Sequence, residues 1–111
     1  MNKNQIETQT LLKEIINGIE SKKGKDILSL DFQNIPNAIS KYFVITHAES
    51  RVQALAIADS IEETLIKTLK VKAWNKEGIQ NAEWILLDYV DIVVHIFQEE
   101  TRSFYQLEDL W

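Results

Sequence analysis

The stretch Trp84-Ile-Leu-Leu-Asp-Tyr-Val-Asp-Ile-Val-Val-His-Ile-Phe97 contains two apolar runs that flank a very short break. Short apolar runs that are rich in β-branched and aromatic residues are typical of β-strands. We therefore predict strands at 84–88 and 91–97, paired antiparallel around a two-residue turn at Tyr89 and Val90. The register that follows is Asp88 opposite Asp91, Leu86 opposite Val93 and Trp84 opposite His95.

The predicted hairpin has two unlike faces, because successive side chains of a strand point to opposite sides. One face is aliphatic throughout and is predicted to be core: Ile85, Leu87, Ile92, Val94 and Ile96. The other face combines aromatic, acidic and imidazole groups: Trp84, Leu86, Asp88, Asp91, Val93, His95 and Phe97. Aromatic anchors ringed by polar groups are typical of protein-binding hot spots. We take Trp84, Leu86, Asp88 and His95 as the candidate partner-binding residues.

A structural role for the same residues remains open. Trp84 and His95 would then lie beneath a C-terminal helix predicted at 101–110, with Tyr105 or a backbone carbonyl as the hydrogen-bond partner of the imidazole. The spacing of Phe104, Leu107 and Trp111 predicts a stripe that docks this helix on the sheet. Arg102 and Glu108 are predicted to form an ion pair or to cap helix ends, and exposed pairs of this kind stabilise little.

Two longer helices are predicted upstream. Leu12, Ile15, Ile16 and Ile19 recur at helical spacing, so the first twenty residues form an amphipathic helix that ends near Gly24. Ser50 with Gln53 has the pattern of a capping box, and a helix follows to about Leu69 with one apolar face: Ala54, Ala58, Ile61, Leu65 and Leu69.

Three further strands are predicted between these helices and the hairpin. The first two lie at 27–31 and 42–46, separated by a loop at 34–37 that holds the only proline. A third, at 71–74, would complete a strand, helix, strand unit with a right-handed crossover if its strands are parallel. This order of elements predicts a single α/β (α+β) domain over residues 1–111, with a small mixed sheet and flanking helices.

Composition limits the class of protein. With 111 residues and 45% hydrophobic content, the chain can bury a core, and without cysteine it can form neither disulfides nor thiolate metal sites. The net charge of -5 disfavours broad phosphate binding and suits a basic protein partner. No apolar run approaches the roughly 18 residues of a membrane span, so we expect a cytosolic protein that does not engage a membrane.

The hairpin and the residues after it also carry a family pattern. The chain resembles the ribosomal silencing factor family RsfS, also called Iojap, at these C-terminal positions: Trp84, Asp88, Tyr89, Asp91 to His95, Phe97, Glu100, Arg102, Phe104, Tyr105, Leu107, Glu108, Leu110 and Trp111. Upstream matches follow the family's order: 26–31, 42–45, 50–51, Gln53, 56–59 and 77–78. Lys41 and His47-Ala48-Glu49 depart from it, where the family usually has Asp and Thr-Gly.

The resemblance implies a nucleotidyltransferase-like topology and a role on the ribosome. It implies docking on ribosomal protein fourteen of the large subunit and a steric block to joining of the small subunit, which represses translation when nutrients are short. A role in large-subunit assembly would use the same surface and stays open. So do a minor contact of Lys22, Lys23 and Lys25 with ribosomal RNA, and a homodimer.

A nucleotide-binding or nucleotidyl-transferring enzyme is the alternative that this topology suggests. Nucleotidyl transfer needs clustered carboxylates that hold metal ions, and such enzymes typically have a Gly-Ser pair at a helix start and an Asp-x-Asp strand motif. Here the helix start is Ala48-Glu49-Ser50, and no Asp-x-Asp follows. We therefore expect no catalysis, no cofactor and no metal site, since His47 and His95 are the only histidines.

Overall fold

The computed structural model describes residues 6–110. Within this range three α-helices flank one five-stranded sheet. The helices are α1 (Thr8–Ser21), α2 (Arg51–Leu69) and α3 (Glu99–Tyr105), and the strands are β1 (Lys25–Asp31), β2 (Tyr42–Ala48), β3 (Asn75–Glu77), β4 (Trp84–Asp88) and β5 (Ile92–Gln98). A short 3-10 turn at Leu107–Leu110 follows α3.

The strand order is β1-β2-β5-β4-β3, and β2 with β5 is the parallel pair. The other neighbouring strands are antiparallel. A mixed sheet with flanking helices was predicted, and the structure confirms it. None of the helices between residues 6 and 110 combines the length and the apolar content that crossing a membrane requires.

The hydrophobic core lies between the sheet and the pair α1 and α2. Ile15 and Ile19 of α1 and Ile57, Ile61 and Leu65 of α2 are fully buried there. The aliphatic face predicted for the hairpin joins them, and each of its members is fully buried: Ile85, Leu87, Ile92, Val94 and Ile96. Leu12 and Ile16 lie at the margin of this core, half-buried, whereas Leu11 is buried.

A glycine allows α1 and α2 to approach closely. A Cβ atom on Gly18 would lie 2.9 Å from the Cα atom of Ile61, closer than real Cβ contacts occur. The hydroxyl of Ser60 donates a hydrogen bond of 2.8 Å to the Gly18 carbonyl. Gly18 is therefore the position at which the two helix backbones meet.

One bond of the predicted capping box at the start of α2 is present, whereas Gln53 accepts its return bond from Glu49, one residue before the N-cap Ser50. The Gln53 backbone N–H donates to Ser50 Oγ at 3.1 Å, and the Glu49 N–H donates to Gln53 Oε1 at 2.8 Å. The amide of Gln53 also donates to the carbonyls of Lys22 and Lys23, just beyond α1. The cap thus ties the start of α2 to the end of α1.

The predicted strand at 71–74 was wrong. Lys70, in the left-handed conformation, ends α2, and residues 71–74 form an irregular connection before β3. β3 lies at the sheet edge, antiparallel to β4, while β5 takes the parallel position beside β2. The physical reason is burial: β5 is buried at all but its last residue, whereas Asn75-Lys76-Glu77 is polar and suits an edge.

The hairpin register was wrong by two residues. Trp84 lies opposite Phe97, Leu86 opposite His95 and Asp88 opposite Val93. The Tyr89 N–H donates to the Ile92 carbonyl at 2.9 Å, so these two residues close the hairpin and the turn consists of Val90 and Asp91. A shift of two residues leaves the side chains of β4 and β5 on their predicted faces, since the strand period is two. The predicted face of Asp91 was wrong, because Asp91 lies in the turn and its carboxylate accepts a hydrogen bond from Thr8 of α1.

The C-terminal segment also differs from the single helix predicted at 101–110. α3 ends at Tyr105 because its C-cap Gln106 has a left-handed φ of 46°, and the chain continues as the 3-10 turn. Phe104 is 79% exposed, so its predicted place in the core was wrong, and Leu107 is half-buried. Trp111, the third residue of the predicted stripe, lies outside the described residues.

Candidate partner-binding face

The side of the sheet that faces away from α1 and α2 carries a band of aromatic side chains. We call this band with its flanking residues the aromatic face: Phe43 of β2, Trp84, Leu86 and Asp88 of β4, and His95 and Phe97 of β5. The pairing places Leu86 directly beside His95 and Trp84 beside Phe97. Three of the four predicted site residues therefore come from alternate positions of β4, and the fourth comes from the adjacent strand.

Trp84 is half-buried among other aromatic rings. Its ring centroid lies 4.8 Å from that of Phe97 and 5.0 Å from that of Tyr105 in α3. The C-terminal helix thus covers part of the indole, as the structural alternative required, and another part stays accessible. Trp84 therefore has both a packing role and an exposed surface.

His95 lies behind Trp84 and is only 4% exposed. The indole Nε1–H of Trp84 donates to His95 Nδ1 at 3.0 Å, so the partner of the imidazole is neither Tyr105 nor a carbonyl. On the other side, the imidazole and Phe43 ring centroids lie 4.6 Å apart. His95 was predicted as a partner-binding residue, but at this burial the imidazole is not a surface group.

The imidazole of His95 is neutral. Because Nδ1 accepts a hydrogen bond, the ring proton sits on Nε2, which is buried and has no hydrogen-bond partner among the described residues. Burial lowers the pKa of His95 from 6.5 to about 4, because the charged form would lose its hydration. The Trp84 and His95 pair is therefore uncharged at neutral pH.

Leu86 and Asp88 complete the predicted set along β4. Both side chains are half-buried. Asp88 Oδ1 accepts a hydrogen bond of 2.8 Å from the Val90 N–H, and the Asp88 carbonyl accepts one of 2.7 Å from the Trp74 N–H. The carboxylate therefore shapes the β4–β5 turn, as Asp side chains commonly do in turns, while it lies on the aromatic face.

A buried arginine next to this face was not foreseen. Arg102 of α3 is 9% exposed, and its Nη1 donates to the Asp26 carbonyl at 2.9 Å and contacts His47 Nδ1 at 2.9 Å. Its Nε donates to Glu108 Oε2 at 3.0 Å. The guanidinium thus joins β1, β2, α3 and the 3-10 turn. The predicted ion pair with Glu108 is confirmed, but its expected exposure was wrong.

The charge of Glu108 is stabilised in this cluster. Burial alone would raise the pKa of its carboxyl group, but hydrogen bonds from its own backbone N–H and from Arg102, together with the Arg102 charge, lower that pKa overall. The spacing of Arg102 and Glu108 indicated the ion pair. No local pattern indicated Asp26 or His47, which lie far away in the sequence.

The two departures from the family pattern lie at the two ends of β2. Lys41 N–H donates to the Asp91 carbonyl at 2.8 Å, and Lys41 Nζ lies 3.7 Å from Asp91 Oδ2. His47 and Ala48 are the last residues of β2 and are buried. Lys41 therefore fastens the start of β2 to the β4–β5 turn.

The acidic groups of the aromatic face and the turn have separate partners. Asp88 bonds the Val90 backbone, whereas the Asp91 carboxylate accepts from the Thr8 hydroxyl at 3.4 Å and pairs with Lys41. Among residues 6–110, no group of three or more His, Asp or Glu side chains is arranged to hold a metal ion.

These features define a small mixed α/β fold whose candidate site is a surface with an aromatic centre. The model of the family described as "Ribosomal silencing factor during starvation" matches residues 5–111. The chain is 38% identical over 107 residues to the ribosomal silencing factor RsfS of Bacillus subtilis, which covers 93% of this chain and 86% of that protein. The chain belongs to the RsfS family.

Two further relatives agree with this. The chloroplastic protein Iojap of Arabidopsis thaliana is 36% identical over 72 residues, which is 65% of this chain and 29% of that protein. A crystal structure of a protein from Chromobacterium violaceum superposes with a TM-score of 0.89 at 33% identity and covers 96% of this chain and 87% of that one.

Proposed function

We propose that this protein binds the large ribosomal subunit and sterically prevents the small subunit from joining, so that translation is repressed under nutrient limitation. The docking site would be ribosomal protein fourteen of the large subunit. Trp84, Leu86 and Asp88 would form the contact, with His95 behind them. The names of the relatives, which describe silencing factors and no enzyme, support a binding role over a catalytic one.

The observation that carries this proposal is the partly exposed indole of Trp84 on the aromatic face. Hot spots of protein interfaces are enriched in Trp, and they lie among packed neighbours that keep water away. Trp84 meets this description, because Phe97, Tyr105 and His95 surround its ring while part of it remains accessible.

The charge of the surrounding surface supports a basic protein partner. Glu77 of β3 lies opposite Leu86, and Asp88 lies two residues further along β4. Acidic groups around an apolar anchor favour a basic rim on the partner and disfavour phosphate groups. The net charge of -5 has the same sign, so it would also steer the approach to a basic protein.

Co-sedimentation tests the proposal. The purified protein is incubated with separated large and small ribosomal subunits from its own source, and each is pelleted through a cushion. We expect the protein in the large-subunit pellet alone, and fewer joined ribosomes when small subunits are then added. Absence of the folded protein from both pellets would contradict the proposal.

The partly exposed indole of Trp84 leads to a specific prediction. Trp84→Ala should weaken binding to the large subunit at least about tenfold, because loss of a hot-spot side chain costs about 2 kcal/mol or more. Binding is measured by titration in the same pelleting assay, and thermal unfolding gives the folded fraction. Trp74→Ala is the matched control, since Trp74 is 74% exposed and lies outside the aromatic face. Equal losses for both variants would refute the assignment.

The same assay addresses the other roles that this surface could serve. Preference for large-subunit precursors over mature subunits would favour a role in assembly. A homodimer that uses the aromatic face would compete with ribosome binding. Measuring the mass of the protein across a concentration series, with and without large subunits, would reveal such a dimer.

Lys22 and Lys23 are exposed and available for a minor contact with ribosomal RNA.

A further inference from the structure

The proposed anchor of the aromatic face, Trp84, has no free polar group. An indole has one hydrogen-bonding atom, its N–H donor. In Trp84 this donor is already bonded to His95 Nδ1 at 3.0 Å inside the protein. Trp84 can therefore present only its apolar surface to a partner.

We propose that His95 is a positioning residue that locks the Trp84 indole and occupies its N–H, so that the partner's receiving pocket is apolar and supplies no hydrogen-bond acceptor there. This inference rests on the proposed function, and it names the chemistry of the partner at that site. The partner is a protein surface with an apolar pocket and a basic rim.

The rings packed around the pair explain how the lock works. His95 is held between Phe43, at a centroid distance of 4.6 Å, and Trp84, at 6.0 Å. Phe97 and Tyr105 contact the indole at 4.8 and 5.0 Å. Because the hydrogen bond fixes the rotation of an indole already confined by these rings, Trp84 is ordered before the partner arrives, and less ordering entropy is lost on binding.

The buried imidazole suits this role better than a direct contact. His95 is 4% exposed, so a partner cannot reach it in this conformation. Its Nε2 atom is buried and has no hydrogen-bond partner among the described residues. A buried group without a hydrogen-bond partner costs free energy. We therefore attribute the presence of an imidazole here to the hydrogen bond that its Nδ1 accepts from Trp84.

Nuclear magnetic resonance tests the lock in the free protein. The indole Nε1–H resonance of Trp84 is assigned by its loss in Trp84→Phe, and its exchange with solvent is then measured. In wild type we expect slow exchange. His95→Leu, which removes the acceptor, should speed exchange at least tenfold, and His95→Asn, whose side-chain oxygen can replace Nδ1, should restore slow exchange. Equal exchange in wild type and His95→Leu would overturn the lock.

A double-mutant cycle tests whether His95 acts through Trp84. His95→Leu should weaken binding to purified large subunits about fivefold to tenfold, the effect of losing one hydrogen bond, and His95→Asn should regain most of it. In the Trp84→Phe background, which has no N–H to lose, His95→Leu should change binding less than twofold. Thermal unfolding of each variant gives the folded fraction, by which affinities are corrected.

The outcomes separate the two proposals. If wild-type protein does not pellet with large subunits, the proposed function fails, and this inference fails with it. If wild type binds and His95→Leu weakens binding equally in both backgrounds, His95 affects binding independently of the Trp84 N–H, and only this inference is overturned. Affinity of the wild type for protein-free ribosomal RNA that is lost in Trp84→Ala would overturn the apolar protein pocket.

Discussion

The imidazole of His95 is buried in its neutral form, and this makes the fold sensitive to acid. Its pKa is about 4 in the folded protein and 6.5 in the unfolded chain. Between these values the unfolded chain binds a proton that the folded protein does not, so stability falls as pH falls from 6.5 to 4. Above pH 6.5 this contribution is fully present.

We expect the free energy of unfolding to decrease by about 3 kcal/mol through His95 between pH 7 and pH 4. Urea unfolding at several pH values measures it. His95→Asn is the control, because it keeps every carboxylate and His47 but removes this titration. If both proteins lose the same stability over this range, the neutral burial of His95 does not govern the acid response.

Asp88 shows how one side chain can serve both the fold and the site. Its carboxylate accepts the Val90 N–H that shapes the turn, while the residue lies on the aromatic face beside Leu86. A loss of binding in a variant of Asp88 therefore needs a stability measurement beside it, whereas Trp74 and Phe104, both exposed, carry no such double role.

Among the helices, the contact between α1 and α2 depends on Gly18. Alanine in a helix interior is normally preferred over glycine by about 1 kcal/mol. At this position the added Cβ would lie 2.9 Å from the Ile61 Cα, and backbone atoms in a packed core cannot move without a larger cost. The steric term should therefore exceed the helix preference.

We expect Gly18→Ala to lower the free energy of unfolding by about 1 to 2 kcal/mol. Chemical denaturation gives the value. Asn17→Ala, at the exposed neighbouring position of the same helix, should change stability by no more than about 0.5 kcal/mol. A Gly18→Ala protein that is more stable than wild type would show that the two helices can separate at little cost.

Over the whole molecule, Arg102 holds the C-terminal segment to the first strands. Its guanidinium contacts the Asp26 carbonyl, His47 and Glu108, which belong to three different elements. Removing a buried charged donor leaves its acceptors without compensation, and this costs more than losing an exposed pair. The segment it fastens carries Tyr105, which packs on Trp84.

Arg102→Met should destabilise the protein by about 3 kcal/mol, and the amides of residues 99–110 should exchange with solvent faster than those of β5. Hydrogen exchange and denaturation measure these effects. Lys76→Met removes the more exposed pair with Glu62, at 3.2 Å, and should cost about 0.5 kcal/mol or less. Similar losses for the two variants would mean that the Arg102 cluster does not fasten the C-terminal segment.

The parts of the fold that local patterns predict are those that depend on periodicity. The spacing of Ile15 and Ile19 predicted the buried side of α1, and Ser50 with Gln53 predicted the start of α2. Alternation assigned the residues of β4 and β5 to their faces, and these assignments were correct despite the register error because a shift of two residues preserves the face. The pattern of the RsfS family was also recognisable in the residues from Trp84 to Phe97.

The remaining features depend on contacts between residues far apart in the chain. β5 rather than the 71–74 segment lies beside β2, because strands compete for the buried central positions of the sheet and the most apolar strand occupies them. The partner of His95, the two-residue register shift and the Arg102 cluster arise likewise from the packed arrangement. Periodicity in the sequence determines which side of a helix or strand is buried. Which elements become neighbours depends on how all of them pack together around one core.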